Sequence, residues 1–330
     1  MKDFRSIIII SFYALINSAI IWFAFNQKSQ TIDAQTKAAS MAPEFTEIEQ
    51  LEYFHLKNGV PQMSLSADRM KSQGEEVAEF ANPRGVYKYQ QKNETLRYEA
   101  LEAEYKKAKD LLTLEGNVKV TSTEAIYKAR KIKYYLEKDL IIGTGGVDFQ
   151  GEDLKSRDQV LITSEVMRAH PKAQYSRFKG NVKGSMQRKK KYEGKTTFSS
   201  AELTMEGDKS LAHLEGDVVM KRENYVITSG KADMYLENFN KSLKYFVLND
   251  DVKLTETVNT PQGVTQRKAF AERLEGFGRE QKMVLSGAPR VETGTDVVKG
   301  YRIIIRENID LIEVDDAMSD VQVKRKKLKE

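Results

Sequence analysis

Cysteine is absent from the 330-residue sequence, and proline, histidine and tryptophan are rare, with six, three and one copies respectively. The absence of cysteine excludes disulfides, thiol nucleophiles and thiolate metal sites. It also excludes the lipid anchor of bacterial lipoproteins, because that lipid is attached to an N-terminal cysteine. Any membrane anchor must therefore be a peptide segment.

Groups of residues that carry chemistry are also lacking. His55, His170 and His213 lie far apart and share no metal-ligand spacing. The GTGG sequence at 143–146 has no helix pattern with Lys-Ser/Thr after it, so a turn is the better interpretation than a phosphate-binding loop. No pair of acidic residues stands out as a general acid and base. We predict no catalytic site, no metal and no cofactor.

Charge and apolar content indicate a folded body, since charged residues make up 31% of the chain and apolar residues 40%. The net charge of +5 and the pI near 8.9 permit contact with anionic lipids. They fall short of the charge that is typical of nucleic-acid binding, so we expect no nucleic-acid partner. The length predicts one large domain or two medium ones.

One long apolar run lies near the N-terminus. Residues 6–25 contain no charge, and a helix of that length spans roughly 30 Å of hydrocarbon. Lys2 and Arg5 precede it, which favours a cytoplasmic N-terminus and an exported body. A cleaved signal peptide is the alternative. We favour an uncleaved single-pass anchor in the inner membrane, because the apolar core is long and no clear small-x-small site follows directly.

After a polar linker at 26–44, short alternating runs of β-branched, aromatic and apolar residues predict strands separated by Gly, Asn and Asp. The stretch Thr95–Lys109 has helix propensity. We nevertheless predict strand there, because a sequence repeat passes through it.

The repeat has a period of about 35 residues. Each unit has an apolar strand, a two-residue step of Gly, Asn or Asp, and a second short strand. We expect each step to bend or bulge the sheet. The steps begin at Gly116, Gly145, Gly180, Gly216, Asp250 and Gly287.

Alternation within these strands separates a dry face from a wet one. His213 and Lys253 have the parity that faces water. The opposite parity predicts an antiparallel, curved sheet with an apolar interior. The residues expected to line it are Leu114, Val118, Val120, Phe149, Phe178, Val182, Leu214, Val218, Met220, Leu248, Val252 and Leu254.

The last copy of the repeat departs from this pattern. When AERLE at 271–275 is aligned with AELTM at 201–205, Arg273 and Glu275 occupy the inward positions of Leu203 and Met205. We interpret this copy as an end cap or an edge.

The order of motifs resembles a known family, the LptC and LptA/OstA-like jellyrolls of lipopolysaccharide transport. The first half resembles LptC through LKNGVPQMSLSADRM (56–70), FANPRGVYKY (80–89), LEGNVKV (114–120) and GEDLKSRDQV…FKGNVKG (151–184). Residues from about 190 to 320 resemble the LptA repeat through SAELTMEGD…LEGDVVM and GKADMYLEN…LNDDVKL. An ordinary LptC has one such module, so this chain is longer than the family pattern.

The resemblance implies an all-β fold of curved β-jellyroll modules behind one transmembrane helix. The implied organisation is a cytoplasmic start at 1–5, a transmembrane helix at 6–25, a linker at 26–44, an LptC-like jellyroll at 45–185, an LptA/OstA-like jellyroll at 186–322 and a basic tail at 323–330.

The resemblance also implies a function without catalysis. A membrane-anchored periplasmic protein would receive lipopolysaccharide from an inner-membrane ABC transporter and pass it along an apolar groove. Another periplasmic jellyroll would join it by edge-strand pairing. The alternatives are a membrane-anchored β-solenoid scaffold with a solid core and an envelope enzyme with clustered carboxylates. The LptC-like half favours lipid transport.

Overall fold

The computed structural model describes most of the chain after residue 44. The membrane helix predicted at 6–25, the flanking segments 1–5 and 26–44, and the tail at 323–330 lie outside the described residues. Within the described part, no helix has the length and apolarity needed to cross a membrane. The described residues are 45–57, 60–73, 76–89, 94–121, 125–135, 138, 140–152, 158–170, 173–187, 194–237, 242–260, 263–278, 280–306, 312–315 and 318–320.

Antiparallel strands make up nearly all of this part, which confirms the all-β prediction. The first eleven are β1 (Phe45–Lys57), β2 (Val60–Gln73), β3 (Val77–Ala81), β4 (Arg84–Tyr89), β5 (Glu94–Glu99), β6 (Glu102–Lys106), β7 (Leu111–Thr121), β8 (Ala125–Tyr135), β9 (Leu140–Glu152), β10 (Gln159–His170) and β11 (Tyr175–Gln187). The others are β12 (Lys195–Glu206), β13 (Leu211–Arg222), β14 (Tyr225–Glu237), β15 (Ser242–Thr260), β16 (Gly263–Phe277), β17 (Lys282–Ser286), β18 (Arg290–Thr293), β19 (Asp296–Lys299), β20 (Arg302–Arg306), β21 (Ile312–Asp315) and β22 (Met318–Asp320).

The strand prediction at Thr95–Lys109 is confirmed for most of its length, which holds β6 and all of β5 but its first residue. It is wrong for the last three residues, because Lys107–Lys109 form a short 3-10 turn. The chain has two compact units. Unit 1 comprises Met1–Gly151 and Thr163–Phe178, and unit 2 comprises Glu152–Ile162 and Lys179–Glu330. The predicted boundary between 45–185 and 186–322 remains a prediction.

In unit 1 the sheet divides and rejoins. β2 pairs with β3 along one half of its length and with β4 along the other. β3 pairs with β6 and β4 pairs with β5, and both β5 and β6 then pair with β7. The branches separate at two short turns, which are held by the Asn82 amide donating to the Leu101 carbonyl at 2.7 Å and the Ala100 amide donating to the Pro83 carbonyl at 3.2 Å.

Unit 2 contains a long meander from β12 to β16 that then divides. The second half of β16 pairs with β17, which leads to β20 and β21. The first half pairs with β18, which leads to β19 and β22. We call β17, β20 and β21 arm A, and β18, β19 and β22 arm B.

Each predicted step has two consecutive residues at positive φ. Where the partner register is described, two residues of the step face a shorter stretch of the neighbouring strand, as at Gly216–Asp217 between Glu215 and Val218. The six steps are Gly116–Asn117, Gly145–Gly146, Gly180–Asn181, Gly216–Asp217, Asp250–Asp251 and Gly287–Ala288. Register shifts confirm the expected bulge at the first, second, fourth and fifth of them, and a bend between β17 and β18 confirms the expectation at the sixth. At the third step it stays a prediction.

A close approach between strands explains the glycine at the first position of a step. A Cβ on Gly216 would lie 2.8 Å from the Cβ of Ala201 on β12. At the fifth step this position is Asp250, and the neighbouring strand β14 presents Gly230 instead. A Cβ on Gly230 would lie 2.9 Å from the Cβ of Asp250. At the fifth step the glycine therefore lies on the neighbouring strand β14, and the close approach of the two strands is kept.

We expect Gly230→Ala to lower the free energy of unfolding by about 1–3 kcal/mol, because it overfills this contact. In a chain that also carries Asp250→Gly, the same substitution should cost much less, since the pair then repeats the Gly216–Ala201 arrangement. Urea unfolding of the four chains in detergent measures both values. An equal cost of Gly230→Ala in both backgrounds would contradict the steric explanation.

The last copy of the repeat is not degenerate, so its interpretation as an end cap or edge is wrong. Leu274 is fully buried and faces inward, whereas Arg273 and Glu275 face outward. The inward parity of β16 changes at the bulge, because Ala271 pairs with Val252 but Leu274 pairs with Leu248. β16 is also an internal strand, since both arms continue from it.

Candidate functional site

The interior of unit 2 has a continuous apolar row on the side of arm A. Its members are neighbours across consecutive hydrogen-bonded strands, and each is at most 1% exposed. They are Leu203, Leu214, Ala232, Leu248, Leu274, Leu285 and Ile303.

A second apolar row runs on the side of arm B, on the far side of the bulges. Its members are also cross-strand neighbours, and none is more than 3% exposed. They are Phe198, Met220, Ile227, Leu254, Ala269 and Val291. Each strand of the meander therefore contributes to both rows, because the bulge restores the inward parity on each side of the step.

Unit 1 has an apolar row of the same kind. One row is at most 7% exposed and consists of Met70, Phe80, Ala103, Leu114 and Ile132. Phe149 on β9 contacts Tyr127 with the ring centroids 5.0 Å apart.

All twelve residues predicted to face inward are buried, at 8% exposed or less. Their contact with a lipid remains a prediction. In unit 2, β14 lies between the strands that carry four of them. Its Ile227 pairs with Met220 on one side and Leu254 on the other. Its Ala232 pairs with Leu214 and Leu248 in the same way.

Aromatic rings cover glycines at three places in the interior, and sequence analysis missed this feature. A Cβ on Gly276 would lie 2.0 Å from the ring of Phe246, its direct partner on β15. A Cβ on Gly184 would lie 2.0 Å from the ring of Phe198, and one on Gly85 would lie 2.3 Å from the ring of Tyr98. Burial raises the pKa of the Tyr98 hydroxyl well above its ordinary value. A glycine opposite an aromatic residue on the next strand is the signal that would have shown these pairs.

Three buried serines, of which Ser200 and Ser229 lie at bulges, provide internal hydrogen bonds. The hydroxyls of Ser164, Ser200 and Ser229 donate to the carbonyls of the residues two positions later, at 3.2, 2.8 and 2.9 Å. All three serines are buried. These polar groups are satisfied within the strand, so they leave the apolar character of the interior intact.

Among the described residues of unit 2, one ion pair is fully buried. The Arg267 guanidinium donates to Oε2 of Glu256 from Nε at 3.1 Å and from Nη2 at 2.5 Å, and both side chains are 0% exposed. Sequence analysis missed this pair, although parity could have found it. Glu256 lies two residues after the inward Leu254, and Arg267 lies two residues before the inward Ala269.

The outer face is polar at the positions predicted to face water. His213 is about one-third exposed and lies between two carboxylates, with Nδ1 2.5 Å from Asp233 and Nε2 3.2 Å from Glu206. The hydrogen bond from Lys209 lowers the pKa of Glu206. Over the described ranges, no cluster of three or more His, Cys, Asp or Glu residues is arranged to hold a metal ion.

A concavity of about 550 Å³ lies on the outer face of unit 1. Charged side chains of both signs line much of it. Such a surface suits water or charged partners and does not suit acyl chains. Lining residues include Arg69, Lys71, Glu79, Glu102, Glu104, Lys106, Glu115, Lys131 and Lys133.

Comparisons with known families match both halves of the chain. A family model described as "Lipopolysaccharide-assembly, LptC-related" matches residues 12–187, which is more than half of the sequence. A second model, described as "LptA/(LptD N-terminal domain) LPS transport protein", matches residues 197–310. A comparison with curated proteins gives no match.

Among solved structures, the chain is similar to LptH of Pseudomonas aeruginosa, described as the LptA-homologous periplasmic component of the lipopolysaccharide transport device. The sequence identity is 15% and the TM-score is 0.33. The match covers 39% of this chain and 89% of LptH.

Proposed function

Because this chain belongs to the LptC-related lipopolysaccharide-assembly family, and an LptA-like module follows the LptC-like part, we propose that it is a periplasmic component of lipopolysaccharide transport. The family contains transport proteins and not enzymes. The observation that carries the proposal is the pair of continuous apolar rows in unit 2, which can replace water around acyl chains.

The energy of this exchange is large. Each methylene removed from water contributes about 0.8 kcal/mol, so a chain of a dozen carbons gains on the order of 10 kcal/mol. Adjacent sites along the route must have similar affinities, since a lipid would otherwise remain at the tightest one. Net direction must then come from an energy source outside this protein.

Acyl chains reach these rows only if the inner side chains separate, because the rows are almost completely buried. In unit 2 arms A and B both continue from β16 and have no strand pairing with each other among the described residues. We propose that a lipid enters between the two arms, and that the twelve inward residues named from the sequence contact its chains.

The partners follow from the sequence and the exposed edges. Residues 6–25 would anchor the chain in the inner membrane beside an ABC transporter, with the N-terminus in the cytoplasm. Among the described residues β1 pairs only with β2, which leaves a 13-residue edge for another periplasmic jellyroll. β21 and β22 offer shorter edges in unit 2.

Site-specific photo-crosslinking tests the internal route. A crosslinker at Leu214 or Leu248 is expected to trap lipopolysaccharide when the transporter hydrolyses ATP, because both side chains face the apolar interior. The matched controls are His213 and Lys253, which face outward on the same strands. Equal labelling on both faces would contradict an internal route.

The scaffold function is the second candidate, and the complete burial of the interior favours it. A solid core predicts no lipid crosslink at any inward position. It also predicts that cells without the protein keep a normal amount of lipopolysaccharide at their surface. Depletion of the protein followed by measurement of surface lipopolysaccharide separates the two functions.

A further inference from the structure

A row that contains polar side chains runs directly beside the apolar row on the side of arm B in unit 2. Its members follow the inward parity of their strands and are cross-strand neighbours: Arg222, Tyr225, Glu256, Arg267, Thr293 and Asp296. Tyr225, Glu256 and Arg267 at its centre are buried, Arg222 and Thr293 are half-buried, and Asp296 is exposed. On arm A the inward residues are apolar and fully buried, for example Met283 and Ile305. The inner surface is therefore amphipathic on one side only.

The centre of this row also connects the two arms. Arg267 lies in the half of β16 that pairs with arm B, and its Nη2 donates to the main-chain carbonyl of Arg306 on arm A at 3.1 Å. On the other side of the ion pair, the Asn224 side chain donates to Oε1 of Glu256 at 3.2 Å. Separation of the arms breaks the contact with Arg306 and exposes the guanidinium.

A buried ion pair is an expensive way to fill an apolar interior, because apolar residues of similar volume often give equal or greater stability. Beside the pair, the hydroxyl of Thr293 is buried and has no hydrogen-bond partner among the described residues. Thr293 is the direct register partner of Arg267. An unsatisfied hydroxyl and a planar guanidinium together form a set of donors for an oxyanion.

We propose that this row marks the level where the acyl chains of the transported lipid end and its phosphorylated head begins, and that Arg267 binds a headgroup phosphate. The inference rests on the proposed transport function. Glu256 and the Arg306 carbonyl occupy the guanidinium while the arms are together. When the arms part, a phosphomonoester replaces them, since its oxygens accept two parallel hydrogen bonds from arginine.

Binding of two forms of lipid A to the full-length protein in detergent tests this. The wild type is expected to bind bisphosphorylated lipid A about tenfold more tightly than its dephosphorylated form, the size expected for hydrogen bonds to a charged group. The double variant Glu256→Leu/Arg267→Leu should bind both forms equally, with the affinity of the wild type for the dephosphorylated form. The matched control is Arg273→Leu/Glu275→Leu, which removes an outward ion pair from the same strand and should keep the tenfold difference.

A second variant keeps the test valid if the double variant does not fold. Glu256→Gln removes the competing charge and leaves Arg267 in place, so it should bind the bisphosphorylated lipid several-fold more tightly than the wild type does. Unchanged or weaker binding would overturn the proposal.

Thermal unfolding with inorganic phosphate alone separates the two sources of phosphate. Stabilisation of the wild type by inorganic phosphate, without discrimination between the lipids, would assign the site to the free ion and overturn the headgroup role.

The failures of the two proposals are distinguishable. If the wild type binds neither form of lipid A, the transport function itself fails. If it binds both forms with equal affinity, the transport function stands and the phosphate site is rejected.

Discussion

Replacement of Arg267 alone by leucine is expected to lower the free energy of unfolding by about 3–5 kcal/mol, because it leaves a buried charge without its partner. The substitution leaves the carboxylate of Glu256 without its guanidinium at a site that is 0% exposed to solvent. It also removes the contact to the Arg306 carbonyl. Urea unfolding of the full-length protein in detergent, followed by the circular dichroism of the sheet, measures this loss.

The matched controls separate charge from volume. The double variant Glu256→Leu/Arg267→Leu should recover most of the loss, because no uncompensated charge remains buried. Arg273→Leu removes the outward partner of Glu275 and should cost no more than about 1 kcal/mol, since exposed ion pairs contribute little. If Arg267→Leu and Arg273→Leu have equal effects, the burial of the pair is not what matters.

Phe246→Ala is expected to cost about 3–5 kcal/mol, because it deletes a ring that is 2% exposed and leaves a cavity above Gly276. The exchange Phe246→Gly/Gly276→Phe should recover part of this loss, since the two positions are direct partners and the ring would return to the same space from the opposite strand. Urea unfolding again provides the measurement.

Tyr301→Ala is the control for Phe246→Ala, because it also deletes an aromatic ring in unit 2 but at a position 77% exposed. It should change the free energy of unfolding by no more than about 0.5 kcal/mol. Recovery of stability in the exchange variant would show that the ring stabilises the protein by filling the interior, whichever of the two strands carries it. Further destabilisation by the exchange would contradict that explanation.

Much of the fold is predictable because its main determinants are local. Gly, Asn and Asp tolerate positive φ, so pairs such as Gly216–Asp217 identify the bulges from residue type alone. Alternation on each side of a bulge then gives the inward face, as for Leu214, Val218 and Met220. These two patterns are sufficient for the inward face of the strands in the meander.

The remaining features depend on register between strands that are distant in sequence. Alignment of the half-repeats by their first alanine placed Arg273 inward, whereas pairing with β15 places Leu274 there. The division into arms A and B arises because β16 pairs with both β17 and β18, and the sequence of one strand does not show which strands it pairs with. The ion pair was missed because charged residues are normally assigned to water, although Glu256 and Arg267 have the inward parity.

The bulges of neighbouring strands face one another, so in unit 2 they form a single crease that runs perpendicular to the strands. Duplication of one hairpin would extend the crease by two strands and leave its cross-section unchanged. The length of the crease in unit 2 can therefore change independently of its cross-section.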